Sequence, residues 1–195
     1  YQNLQTNISS RSKELITNNP NTLASRYIKV DMPVFAPYGL SENDKQKYLI
    51  EHHFDNTDFS DTLLLRSNIL SSKVIKYLSL YQSPSYTKQT LEDELIVAID
   101  SVLNYAIVEQ KTYEWLVDFL LKGFEAIGFE RGLNHIAEQN KLSELCVNTD
   151  RKQSLERRME MIKKLAIGKK SPDFTTKDIS GKNDTLETYD LIETD

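Results

Sequence analysis

One cysteine in 195 residues, Cys146, is too few for an internal disulfide and rules out Cys-x-x-Cys exchange chemistry within the chain. Proline and glycine are also scarce, at five and six residues, so the positions where regular structure must break are few and readable. No apolar run is long enough to cross a bilayer, because Asp118 and Lys122 interrupt the richest one. There is no excess of positive charge: the net charge of -5 argues against the whole molecule binding a polyanion such as nucleic acid. No period near 34 residues recurs, which excludes a regular solenoid. The sequence starts at Tyr1, and the absence of a leader segment says nothing about compartment.

What is present is helical periodicity. Leu4, Ile8, Leu15 and Ile16 form a stripe that stops at Asn18-Asn19-Pro20-Asn21. A short helix carrying Leu23, Tyr27 and Ile28 ends near Asp31-Met32-Pro33, and Val34 to Leu40 reads as a connector. Ser41 with Asp44 three residues on has the arrangement of a capping box. Leu70, Val74, Tyr77, Leu78 and Tyr81 then give an amphipathic face broken by Gln82-Ser83-Pro84-Ser85. Leu91, Leu95, Ala98, Ile99, Val102, Leu103 and Ala106 form the next face, with Thr87 or Thr90 as its cap. Thr112 to Ile127 leaves little polar circumference and belongs at the centre of a bundle, with Trp115 and Phe119 expected in its core rather than lining a groove. Gly128 and Gly132 read as a break, and a last helix runs from about Asp150 to Ala166.

Four polar features are candidates for chemistry. The stretch from Glu51 to Asp61 holds His52, His53, Asp55, Asp58 and Asp61, residue types that ligate zinc or manganese. Adjacent histidines point about 100 degrees apart on a helix, and Asp55-x-x-Asp58-x-x-Asp61 lacks the glycine and alternation of a calcium loop. The expected reading is therefore a helix end and a polar turn anchored by Phe54 and Phe59. His135 and Cys146 have no flanking pattern of a base or a nucleophile, and both read as structural. The helix at 150–166 carries Arg151, Lys152, Arg157, Arg158, Lys163 and Lys164 against an apolar side of Leu155, Met159 and Ile162. Without aromatics it makes no base-stacking surface, and i, i+4 pairs with Glu156 and Glu160 suit a solvated outer face.

The C-terminal stretch Gly168 to Leu191 has a different character: Phe174-Thr175-Thr176 has strand composition and Ser180-Gly181-Lys182-Asn183 is a turn, together a hairpin. Gly168, Pro172-Asp173-Phe174, Lys177-Asp178-Ile179, Gly181-Lys182 and Leu186 resemble the opening of a thioredoxin-like domain of the peroxiredoxin and thiol-disulfide oxidoreductase type, with Ser171 at the usual alanine. The resemblance implies that the redox Cys-x-x-Cys would lie beyond Asp195. Tyr48 to Asp61, with Leu64, Leu65, Arg66, Ser67 and Ile69, is similar to a motif of a helical domain of unknown function that precedes a thioredoxin-like domain in some bacterial cell-envelope proteins. His53 and Phe54 stand there where aromatic residues are usual.

The expectation is an all-α, irregular bundle of about seven to eight helices with a short C-terminal β-hairpin belonging to a truncated thioredoxin-like domain. Its parts are a helical accessory domain at 1–166 and the hairpin at 167–195. The resemblance implies a non-catalytic accessory domain of a thiol-disulfide oxidoreductase, positioning protein substrates or mediating self-association. It also implies a periplasmic or cell-envelope setting, the thioredoxin-like domain as intramolecular partner, and protein thiols or a second copy as further partners. No catalytic, cofactor or metal residues are assigned, and neither nucleic acid nor a membrane span is expected. The alternatives are a free-standing binding module using the basic helix 150–166 and a metal-dependent enzyme at His52, His53, Asp55, Asp58 and Asp61.

Overall fold

The computed structural model of the protein describes residues 2–147, 149–166, 168–169, 174–177 and 183–186. Two compact units divide the chain, Tyr1–Leu120 and Leu121–Asp195.

In the N-terminal unit, helix α1 (Gln2–Asn18) ends where Asn19 Nδ2 donates to the Leu15 carbonyl at 3.0 Å and Asn21 adopts a left-handed backbone, φ 67°. Asparagine tolerates that conformation better than most residues, so the chain reverses here. Thr22 caps helix α2 (Leu23–Asp31) by accepting from the Ser25 amide at 3.1 Å. Ser41 caps α3 (Glu42–His52) in the expected manner: its Oγ accepts from the Asp44 amide at 3.2 Å and donates to the Asp44 carboxylate at 2.6 Å. A 3-10 turn, Thr62–Arg66, follows the polar stretch and leads into α4 (Ile69–Ser79). Thr87 caps α5 (Lys88–Ala106), and α6 (Gln110–Ile127) starts in this unit.

The period-3.6 stripes become the core. Helix α4 packs on α2 and α5, and Leu70 and Val74 of α4 are wholly buried together with Ala98, Ile99, Val102 and Ala106 of α5 and Leu116 and Val117 of α6. Burying each large aliphatic side chain contributes about 1.5–3 kcal/mol. An aromatic cluster closes the polar turn onto these helices: Phe54 lies 5.2 Å from Phe59, 4.7 Å from Tyr77 and 5.1 Å from Tyr105 between ring centroids. Tyr77 and Tyr81, one helical turn apart, share a hydroxyl hydrogen bond of 2.9 Å, which removes the cost of burying both phenols. Trp115 and Phe119 are half-buried rather than central, stacked on each other at 5.2 Å with ring planes 4° apart.

In the C-terminal unit, α6 stops at Gly128, φ 68°, a backbone that glycine adopts without strain. Helix α7 (Glu130–Gln139) packs against α9 (Asp150–Lys164), with the one-turn α8 (Leu142–Leu145) between them in sequence. Gly132 does not end a helix, as its spacing from Gly128 suggests, but lies inside α7. A Cβ there would meet Phe129 Cε1 at 2.4 Å, so the position admits the ring because it has no side chain.

The all-α expectation of about eight helices holds among the described residues, and the assignment of the C-terminal residues does not. Among the described residues the β-structure consists of two four-residue strands, β1 (Phe174–Lys177) and β2 (Asn183–Leu186), paired antiparallel from Phe174 with Leu186 to Lys177 with Asn183. No further strand joins them among the described residues. A two-stranded ribbon is at best marginally stable alone in water, whereas a thioredoxin-like domain is a layered sheet. The expected C-terminal hairpin of a truncated thioredoxin-like domain is therefore corrected: the fold described is helical with one isolated ribbon. Pro172-Asp173 and the turn at 180–182 lie outside the described residues.

Candidate functional site

The polar stretch after α3 distributes its groups instead of gathering them. His52 Nδ1 pairs with Asp55 Oδ2 at 2.7 Å on the surface, while the next ring, His53, turns inward so that its Nε2 meets the Lys73 carbonyl of α4 at 2.9 Å. That carbonyl only accepts, so Nε2 carries a proton. Desolvation lowers the His53 pKa to about 4; the hydrogen bond to Lys73 opposes this and the charges of Lys73 and Lys76 reinforce it. Asp58 accepts from the Ser60 hydroxyl at 2.6 Å and from its amide at 2.9 Å, and the hydroxyl contact leads in holding its carboxyl below the usual value. Asp61 caps the 3-10 turn through the Leu63 amide at 3.2 Å and forms an ion pair with Arg26 of α2.

Five expected metal candidates thus have four separate duties, and no cluster of three or more metal-ligating side chains occurs among the described residues. The metal-enzyme alternative at His52, His53, Asp55, Asp58 and Asp61 is corrected on that geometry. The basic helix is likewise engaged within its own unit. Arg158 Nη2 reaches Glu125 Oε2 at 2.6 Å, and Lys163 pairs with Glu160 at 3.6 Å. Lys152 is buried, donates to the Cys146 carbonyl at 2.9 Å and lies 3.8 Å from Glu156. Cys146 itself is buried, and His135 is half-buried in α7.

Two concave features of the N-terminal unit lie along the connector, and another, of about 300 Å³, lies at the polar turn between Arg26, Asn56, Asp58 and Asp61. Residues 35–40 border an open groove of about 1090 Å³ whose other wall includes Asn3 and Gln5 of α1 and Lys45 of α3. Pro33 and Pro37 fix the backbone angles on the way in, and Gly39, φ 90°, makes the turn on the way out. Between them Tyr38 is 96% exposed, an aromatic ring held out in water at the rim. A sequence reading of this stretch as a plain connector passes over that ring, although Pro-Tyr-Gly already places an aromatic at the tip of a tight turn. A second, smaller cavity of about 210 Å³ lies behind the connector, against His53, Lys73 and Lys76. Lys73 was also missed, yet it sits three residues after Leu70 and next to Val74, a lysine within an apolar stripe.

The family model for Domain of unknown function (DUF5106) matches residues 4–122, more than half of the chain. The chain belongs to the DUF5106 family. The matched DUF5106 residues nearly coincide with the N-terminal compact unit, so the groove, the polar turn and the small cavity are all features of the DUF5106 portion. No curated protein matches the sequence. Among solved structures, a thioredoxin-like protein from Bacteroides caccae is similar at 18% identity and a TM-score of 0.43, over 79% of this chain. The chain spans 55% of that protein's length. A likeness at that level carries nothing to the DUF5106 chain. With the isolated ribbon, it leaves the thioredoxin-like assignment, thiol-disulfide exchange and a C-terminal thioredoxin-like partner without support, and those expectations are corrected. One cysteine excludes dithiol exchange within the chain itself, as expected. No described helix is long and apolar enough to cross a membrane.

Proposed function

We propose that the N-terminal unit is a non-catalytic recognition domain that holds an extended segment of another protein chain against the connector at residues 33–40. The observation that carries this reading is Tyr38, nearly fully exposed beside a wide groove and pinned by a proline before it and a left-handed glycine after it. Exposed aromatics cost little ordering entropy when they bind, and tyrosine is enriched among the residues that dominate binding energy. The groove walls mix apolar surface from Phe35, Pro37 and Leu40 with polar ends from Asn3, Gln5 and Lys45, which suits a backbone that must hydrogen-bond as it docks. The polar turn supports the same reading, since its carboxylates and imidazoles are spent on caps, ion pairs and, for His53, a backbone hydrogen bond.

The test is selection of peptides from a random displayed library against the intact chain, followed by affinity measurement with Tyr38→Ala. Truncating a binding-dominant tyrosine costs about 2 kcal/mol or more, so selected peptides should weaken by at least about 30-fold. Peptides that bind the variant as tightly as the parent would place recognition elsewhere and overturn the reading. Binders resembling this chain's own segments would identify the docked chain as a second copy.

A further inference from the structure

The cavity behind the connector is lined by the apolar residues Met32, Pro33, Val34, Leu49 and Leu80, and the polar groups facing it are two lysines, Lys73 and Lys76, with one carboxylate, Asp31, and the His53 ring. Lys73 is 6% exposed, and its ammonium makes no hydrogen bond or ion pair among the described residues. The ammonium still touches solvent while its stem is buried, so it is only partly desolvated, and an anion brought to it from water adds counter-charge. Lys76, one turn away on the helix surface, faces the same cavity, and Asp31 pairs with it at 3.3 Å. Two lysines and one carboxylate leave an excess of one positive charge. His53 adds none near neutral pH, because burial disfavours its charged form.

We propose that this cavity binds a small oxyanion, a free phosphate or a small-molecule carboxylate, between Lys73 and Lys76. A volume of about 210 Å³ is small for a drug-sized ligand and ample for such a group. Lysine presents a compact point charge with rotatable donors, so Lys73 can reach an anion in the cavity while its stem stays buried. The Lys73 ammonium is held below its ordinary pKa by desolvation first and by Lys76 second, with Asp31 opposing, and an entering anion would act in the same direction as Asp31. The site stands apart from the Tyr38 groove: its residues are not those of the groove, and its test does not use Tyr38 variants.

The experiment is an NMR titration of the intact chain with sodium phosphate and, separately, with sodium acetate, each against sodium chloride at equal ionic strength, following the His53 ring signals. Saturable shifts with phosphate or acetate, absent with chloride, are expected, and the anion that saturates at lower concentration identifies the source. Lys73→Met, which keeps an apolar stem, should weaken binding at least tenfold, and Lys76→Met should weaken it less. If Lys73→Met fails to fold, the wild-type titration with Lys76→Met decides. No saturable shift with either probe would overturn the proposal, as would equal binding by wild type and each folded lysine variant.

Discussion

Neutral His53 makes the protein's stability depend on pH in a calculable window. In the folded chain the ring is desolvated, and its pKa falls to about 4 from the 6.5 of a free imidazole. Between those values the unfolded chain binds more protons than the folded one, so stability rises with pH through the window and is lost as pH falls from 6.5 toward 4. At face value a shift of about 2.5 units corresponds to about 3 kcal/mol. The ring remains partly accessible, and solvent screening reduces that to roughly 1–2 kcal/mol. His53→Gln removes the titration while keeping an N–H able to donate to the Lys73 carbonyl. Urea unfolding of both proteins at pH 4, 5, 6 and 7 should therefore converge toward acid, the wild type losing about 1–2 kcal/mol more than the variant between pH 7 and pH 4. Groups common to both proteins, His52 and Asp55 among them, cancel in the difference. The ring proton signal that disappears in the variant should titrate in the wild type near 4. A midpoint near 6.5 for that signal, or parallel stability curves, would refute the reasoning.

Two further changes test the helices. Gly132→Ala places a methyl group against the buried Phe129 ring, itself edge-on to Phe124 at 5.1 Å, and overpacking of about 1–3 kcal/mol should outweigh the gain of up to about 1 kcal/mol in helix propensity. Gly123→Ala, at an exposed position of α6 with no atom within 4 Å of the new Cβ, should instead stabilise by about 0.5–1 kcal/mol, and thermal melts that rank the two variants otherwise would contradict the packing described. Thr87→Ala deletes the acceptor for the Thr90 amide, 3.1 Å away, and should cost about 1 kcal/mol by chemical denaturation, with Thr87→Ser restoring most of it.

Much of this arrangement is legible in the sequence where the cause is local. Ser41 with Asp44, and Thr87 ahead of α5, announce helix starts because a cap needs residues only three apart. The stripe of Leu70, Val74, Tyr77 and Tyr81 becomes a buried face because period alone decides it. What escapes is set by distant neighbours. Gly132 has the composition of a break, but its reason is a phenylalanine ring pressed on its Cα, and α8 is too short to show a period. Strand-like composition at Phe174 to Thr176 says nothing about whether a sheet stands beside it, and among the described residues only β2 does. In the polar turn, adjacency suggests that His52, His53 and the aspartates act together. The partners that separate them, Arg26 and the Lys73 carbonyl, lie 35 and 20 residues away along the chain. A lysine inside an apolar stripe was the readable sign that α4 does more than pack.

The stacked Trp115–Phe119 pair gives the molecule an optical label of its own. Only one indole exists in the chain, half-shielded on α6, so fluorescence excited at the red edge of protein absorption originates from a single known place. The indole therefore reports on its own part of the N-terminal unit without any dye attached.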